Sequence, residues 1–198
     1  MSAATLSKSS LQKETLRLKT FQKYLPSLQL KRQQLMAERM KAEQVLKQTE
    51  TELAALESAL PGRFPMLPGM LHHVEGMVSK VGMDTRIENI VGVRLPVLQE
   101  VSFETKPYSL LSTPFWLDAF LEGLRALAGL TVRVSILRER YRCISEALNK
   151  TAQRVNLFEK VLIPQAKRDI QRIRIFLSDM ERAEVVRAKI AKAKAEAH

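Results

Sequence analysis

Apolar residues recur every three or four positions along both ends of the chain, and the repeat is regular enough to number. In the first sixty residues a heptad frame runs from Leu18 to Leu60 through Phe21, Leu25, Leu28, Leu35, Ala42, Leu46, Leu53 and Leu56. Ten of its thirteen seam positions are apolar, with Arg32, Arg39 and Thr49 as exceptions. A repeat of 3.5 held over so many turns predicts a coiled-coil seam, not an ordinary surface helix. Another thirteen positions repeat the pattern from Leu137 to Met180, through Ile144, Leu148, Val155, Ile170 and Ile173. There the alternation of four and three breaks once. Phe158, Leu162 and Ala166 follow one another at two steps of four, next to Pro164. The irregularity predicts a stutter that locally unwinds the supercoil, and the proline predicts a bend. Matching thirteen positions to thirteen gives an antiparallel pair with Leu18 near Met180 and Leu60 near Leu137. At about 1.5 Å per residue, such a rod is roughly 65 Å long.

The seven glycines and six of the eight prolines lie between Pro61 and Gly129. That block divides the chain into an N-terminal helix (1–60), a middle region (61–112) and a C-terminal long helix (113–198). Within the middle, a Pro/Gly loop from Pro61 to Gly69 leads to a short helix at about Met70 to Val81. Ile87, Ile90, Val91, Val93, Leu95, Val97, Val101 and Phe103, interrupted by Gly92 and Pro96, predict two or three short strands in a hairpin. Ser112 or Thr113 before Pro114 marks a helix start, with Phe115, Ala119, Leu124, Leu127 and Ala128 on its apolar side. Gly123 and Gly129 are the points where that helix is expected to bend. The fold class is therefore mainly α, a long antiparallel two-helix coiled coil with a small region of short helix and β-hairpin between.

Charge adds a question. The 198 residues carry 32 Lys+Arg against 21 Asp+Glu, a net +11. By segment the balance is +4 for 1–57, −1 for 58–132 and +8 for 133–198, so the positive charge belongs to the helices. Basicity points first to nucleic acid, but acids are interleaved along the helices and aromatic residues make up only 6% of the chain. The dense basic cluster is confined to Arg182–Lys194. The most apolar stretch, Leu110 to Leu137, holds four charged residues and is not a membrane span. Met1 to Ser10 lacks the apolar core of a signal peptide, so a cytosolic product is expected. The single Cys143 reads as a small apolar filler on a helix. His72 and His73, being adjacent, point about 100° apart on a helix and do not form a metal pair. With no phosphate loop, dinucleotide fingerprint or nucleophile elbow, the chain reads as non-catalytic and without a cofactor. From the residues alone, a basic coiled-coil scaffold and a nucleic-acid-binding protein both remain open.

One segment is more specific. Arg154-Val155-Asn156-Leu157-Phe158-Glu159-Lys160-Val161-Leu162-Ile163-Pro164 resembles the R-V-N-x-x-E-x-V-x-I-P signature of the D subunit of V-type (A/V-type) ATPases and ATP synthases. Asp179-Met180-Glu181-Arg182, Arg187-Ala188-Lys189-Ile190 and Glu88-Asn89-Ile90-Val91-Gly92-Val93-Arg94-Leu95-Pro96 are similar to further stretches of that family. Leu16-Arg17-Leu18-Lys19 and Lys31-Arg32 with Leu35 match its first helix more loosely. Departures fall at Tyr24, Gln33 and Pro26, and Pro26 argues against a straight helix before residue 27. The resemblance implies a central rotor shaft, cytoplasmic and peripheral to the membrane. Its expected partners are a hexamer of catalytic A and non-catalytic B subunits, the small F subunit, and the funnel-shaped subunit above the membrane rotor ring. It implies that Arg154, Val155, Asn156, Glu159, Val161, Ile163 and Pro164 form the family signature. Lys13, Lys19, Arg182, Arg187, Lys189 and Lys192 are then expected to face the hexamer, and Phe64, Met66, Met70 and Val93 to serve the docking region. Direct membrane insertion and nucleic-acid binding are not expected.

Overall fold

The computed structural model describes residues 6–65, 76–109 and 113–196. Helix α1 (Lys8–Arg63) is followed by strands β1 (Val78–Ile90) and β2 (Val93–Thr105) and then by helix α2 (Leu117–Leu157). A five-residue π-helical turn, Phe158–Leu162, joins α2 to helix α3 (Ile163–Glu196). The molecule is mainly helical, with two long helical segments and one small antiparallel sheet between them in sequence. It groups into two compact units, one of residues 1–32 with 150–198 and the other of residues 33–149.

Capping explains where α1 begins. The Ser7 hydroxyl accepts the backbone N–H of Ser10 at 3.2 Å, satisfying one of the unpaired donors of the first turn. The helix runs on through Pro26 and, beyond its expected end, through Pro61 to Arg63. Each proline removes one N–H from the ladder, and the half-buried Leu25 and Leu28 beside Pro26 keep the seam in place. All thirteen seam positions expected in the first segment are buried or half-buried, and Leu35 is sealed at 1% exposure. Thr49 tolerates its buried place because its hydroxyl donates to the Val45 carbonyl at 2.9 Å.

In the first unit the terminal segments run antiparallel. Phe21 meets Phe158 edge to face at 5.4 Å, Gln29 donates to Glu159 at 2.5 Å, and Leu11 and Thr15 line a common groove with Arg174. Val155, Ala166, Ile170 and Ile173 are its buried seam residues on the C-terminal side. The register differs from the expected one. Phe21 lies at Phe158, and in the second unit Leu60 lies at Gly123, not at Leu137 fourteen positions on. In the second unit the shift of fourteen is two heptads, and a seam of similar residues is nearly indifferent to such a slip. Consequently every residue from 181 to 195 is exposed, as a helical overhang.

The second unit adds a third element to its helix pair. Strands β1 and β2 form a hairpin of two thirteen-residue strands, turning at Val91 (φ 53°) and Gly92 (φ 75°). Two left-handed residues make the turn whose twist suits a two-residue hairpin. Since Ile90 pairs with Val93, alternation puts Pro96, opposite Ile87, at a non-hydrogen-bonded place where its missing N–H costs nothing. Leu95 of β2 is fully buried against Ala42 of α1 and Ile144 of α2, with Val93, Ile90 and Tyr141 around them. A second cluster, Leu117, Phe120 and Leu121, gathers Phe64, Trp116, Tyr108 and Val78.

Three local expectations are corrected here. Residues 78–81 belong to β1, not to a helix; the Met70–Glu75 part of that expected helix lies outside the described residues. Helix α2 starts at Leu117, after a turn in which Leu117 N–H donates to Pro114 at 3.0 Å, and its buried side carries Leu117, Phe120 and Leu121. Phe115, expected on the apolar side, is 96% exposed, because the turn directs it away before helical phase is set. Gly123 sits within an unbroken α2, and a β-carbon there would meet Leu60 Cδ2 at 2.7 Å. Its role is close helix approach.

Candidate functional site

The signature segment coincides with the π-helical turn. Ile163 N–H donates to the Phe158 carbonyl, five residues back, so the turn holds one residue more than an α-turn. This is where the seam shows its double step of four. The surplus residue is taken up in one wide turn, and Ala166 and Ile170 return to the buried seam beyond it. The expected stutter coincides with this bulge. Pro164 follows directly, inside the continuous helical run, and removes one N–H from its ladder.

The signature side chains divide by direction. Val155 is fully buried, Phe158 packs on Phe21, and Glu159 accepts from Gln29. Ile163 and Pro164 are half-buried, whereas Arg154, Asn156 and Val161 are exposed. Beside the turn, Val161, Gln165, Arg168, Asp169, Arg172 and Ile175 line a shallow groove of about 680 Å³. Both arginines there are exposed, and Arg168 reaches the Pro164 carbonyl only at 3.4 Å.

The six basic residues expected to face a partner all belong to the first unit and are all exposed. They do not form one cluster. Lys19 lines the groove with Leu11 and Arg174, one part of the paired segment, whereas Arg182, Arg187, Lys189 and Lys192 stand on the overhang. Arg182 is held only loosely by Asp179 at 3.9 Å. Exposed Val185, Val186 and Ile190 accompany these charges, so the overhang is basic and apolar together.

Of the expected docking residues, Phe64 packs between Trp116 and Phe120 at 6.1 and 5.4 Å, and Val93 packs against the Leu95 cluster. Local packing therefore accounts for both. Met66 and Met70 lie outside the described residues, as do His72, His73 and Ser112. Cys143 is half-buried beside the same cluster, its thiol donating to Glu139 at 3.5 Å; burial first, and this carboxylate next, push the thiol pKa up. That environment makes it a poor nucleophile. Among the described residues no group of three or more His, Cys, Asp or Glu side chains is placed to hold a metal, and no helix is long and apolar enough to cross a membrane. One exposed feature does not follow from the seam pattern, the protruding Phe115.

Comparison with known proteins decides the family. The sequence profile described as the ATP synthase D subunit matches residues 10–193. This chain belongs to the ATP synthase D subunit family. The V-type ATP synthase D subunit of Borreliella burgdorferi is 36% identical over 192 residues, covering 97% of this chain and 95% of that protein. The V-type ATP synthase D subunits of Chlamydia pneumoniae and Chlamydia muridarum are 34% and 33% identical, with 96% and 98% of this chain and 92% and 96% of theirs covered. The family match thus includes α1, the hairpin, the π-helical turn and most of α3.

Proposed function

We propose that the chain is the non-catalytic central-stalk rotor subunit of a V-type ATPase or ATP synthase, passing torque between an A/B hexamer and a membrane ion-translocating ring. The observation that carries this reading is the family match over residues 10–193, which takes in both seam-bearing ends of the chain. The basic and apolar overhang supports it: Arg182, Arg187, Lys189 and Lys192, with Lys13 and Lys19 nearer the paired segment, are assigned to a sleeve lined by carboxylates. In this mechanism, nucleotide-driven closure of successive A/B pairs pushes an off-axis helix pair round. A seam of interlocked side chains resists twist, and the ring drives the same element backwards in synthesis. The π-helical turn and Pro164 are assigned the eccentricity that a cam requires, since bulges and prolines are the usual sources of helix bends. The small F subunit and the funnel-shaped subunit above the ring complete the set of partners, with the complex on the cytoplasmic side.

The test is reconstitution with the A, B and F subunits of the same machine. The full chain is expected to co-purify with the hexamer and support ATP-driven rotation, and a chain ending at Glu184 to lose hexamer retention while losing only the helical signal of residues 185–196. Failure of the full chain to join any such complex, or normal rotation by the shortened one, overturns the respective assignment.

A further inference from the structure

Strand β1 is paired on one edge. The sheet holds two strands, and among the described residues none pairs the other edge of β1. From Gly82 to Ile90 the strand runs without an extra residue, the nearby bulge being taken by Gln99 of β2. Every side chain from Met83 to Asn89 is exposed, and Ile87, at 68%, holds apolar surface out to solvent. Because Ile90 and Val93 flank a two-residue turn, alternation points the N–H and C=O groups of Asn89, Ile87 and Thr85 away from β2. Edges of this length are ordinarily guarded by proline, lysine or a bulge. On β2, Pro96 guards the outer side, where its missing N–H falls. Between Gly82 and Ile90, β1 has neither proline nor lysine. Its charges are unevenly matched as well. Glu88 is engaged by Arg140 at 3.5 Å, whereas Asp84 lies directly opposite Glu100, a like-charge pair. Neither Asp84 nor Arg86 takes an ion pair among the described residues.

We propose that β1 pairs antiparallel with β1 of a second copy of this chain, about a two-fold axis at Thr85. The strand is self-complementary about that residue. Arg86 of each copy faces Asp84 of the other, and Ile87 faces Met83. Thr85, with its backbone groups turned outward, supplies a hydrogen-bonded pair at the axis. Arg86 and Asp84 then fall at a non-hydrogen-bonded place, where side chains stand closest. Each guanidinium thereby arrives beside the carboxylate that Glu100 opposes. A slip of one residue loses both ion pairs and both apolar pairs, so the register is defined. This match of a strand to itself selects a second copy over a strand of another protein. Pro96 on each outer edge closes the sheet at four strands instead of letting it grow. The seven paired residues, Gly82 to Glu88, extend about 24 Å and, at a depth of about 10 Å, offer roughly 240 Å² per copy. That is well below the roughly 800 Å² per partner of a stable interface, so the pairing is weak and reversible. It is independent of the rotor reading and concerns copies outside any complex.

The experiment is sedimentation equilibrium of the full-length chain at low salt, from about 10 to about 500 µM, with far-ultraviolet ellipticity as the check on folding. The original chain is expected to move from monomer toward dimer across that range. Arg86→Asp and Asp84→Arg each bring like charges together at two symmetric places, and each is expected to weaken self-association at least about tenfold. The double variant D84R/R86D exchanges the charges and is expected to restore it to within about threefold of the original. Thr85→Pro removes an outward N–H while leaving the β1–β2 ladder intact, and is expected to abolish the dimer with every charge in place. Asp84→Arg also sets a cation opposite Glu100, which favours the hairpin, so it carries the test if Arg86→Asp misfolds. A chain that stays monomeric throughout overturns the proposal, as does one that assembles beyond a dimer. Single variants that associate within about twofold of the original overturn it too. The same holds for a double variant no stronger than the singles, or a dimer that survives Thr85→Pro.

Discussion

The two compact units bury their cores by different means. In the first, Val155, Ala166, Ile170 and Ile173 are buried in a helix seam with no strand beside it. In the second, Leu95 from the hairpin is sealed against both helices, and the aromatic group of Phe64, Trp116 and Phe120 closes a further cluster. A seam two helices wide has one layer of side chains to lose. A helix pair with a sheet on it has contacts in two directions. Stability is therefore expected to be unequal, with the first unit opening at lower free energy than the second.

That inequality can be broken from either side. Leu95→Ala removes the hairpin's deepest anchor and is expected to cost about 3 kcal/mol, seen as an early loss of Trp116 fluorescence in a urea titration. Ile173→Ala, fully buried in the other unit, is expected to cost about 3 kcal/mol as well, yet to shift helical ellipticity while leaving the Trp116 transition nearly in place. Trp116 is the only tryptophan, so the two signals separate cleanly. If both variants move both signals together, the units melt as one and the comparison fails. A smaller effect in the opposite direction is expected at the hairpin turn. Val91, a β-branched residue at φ 53°, is strained, and Val91→Asn should stabilise the second unit by about 1 kcal/mol in thermal unfolding.

The smallest expected effect is electrostatic. Hydrogen bonds from Arg142, and then from Cys143, hold the Glu139 carboxyl below its ordinary value of 4.5. A depressed carboxyl contributes stability above its unfolded pKa that fades as pH falls through the folded one. Acid titration from pH 5 downward should therefore weaken the second unit slightly, and Arg142→Gln should flatten that decline. Glu139 is exposed, so screening keeps the effect small. A slope that the substitution leaves unchanged would assign the acid sensitivity elsewhere.

What the sequence disclosed follows from how local each feature is. The two seams were legible because each depends on spacing within one segment, and Gly92 marked the hairpin because few residues besides glycine take its dihedral. Register was not legible. Leu60 opposite Leu137 and Leu60 opposite Gly123 both satisfy a heptad pattern, and the choice depends on tertiary partners such as the Leu95 cluster. The expected helix over 78–81 gave way to a strand for the same reason, since Val78 pairs with Thr105 far along the chain. In the candidate site, the signature residues and the basic segment could be named in advance. The wide turn that joins them could not, although the double step at Phe158, Leu162 and Ala166 was its trace.

The overhang differs in kind from everything that precedes it. Its helix continues one already begun, so it bears no nucleation cost, and Ala183, Ala188, Ala191, Ala193 and Ala195 supply the residue of highest helical propensity. No described side chain from 181 to 195 is buried in the molecule. Its length is consequently free to vary without disturbing any packed contact, each added turn advancing the basic groups by about 5.4 Å. The overhang is a ruler that evolution can recut without redesigning the rest.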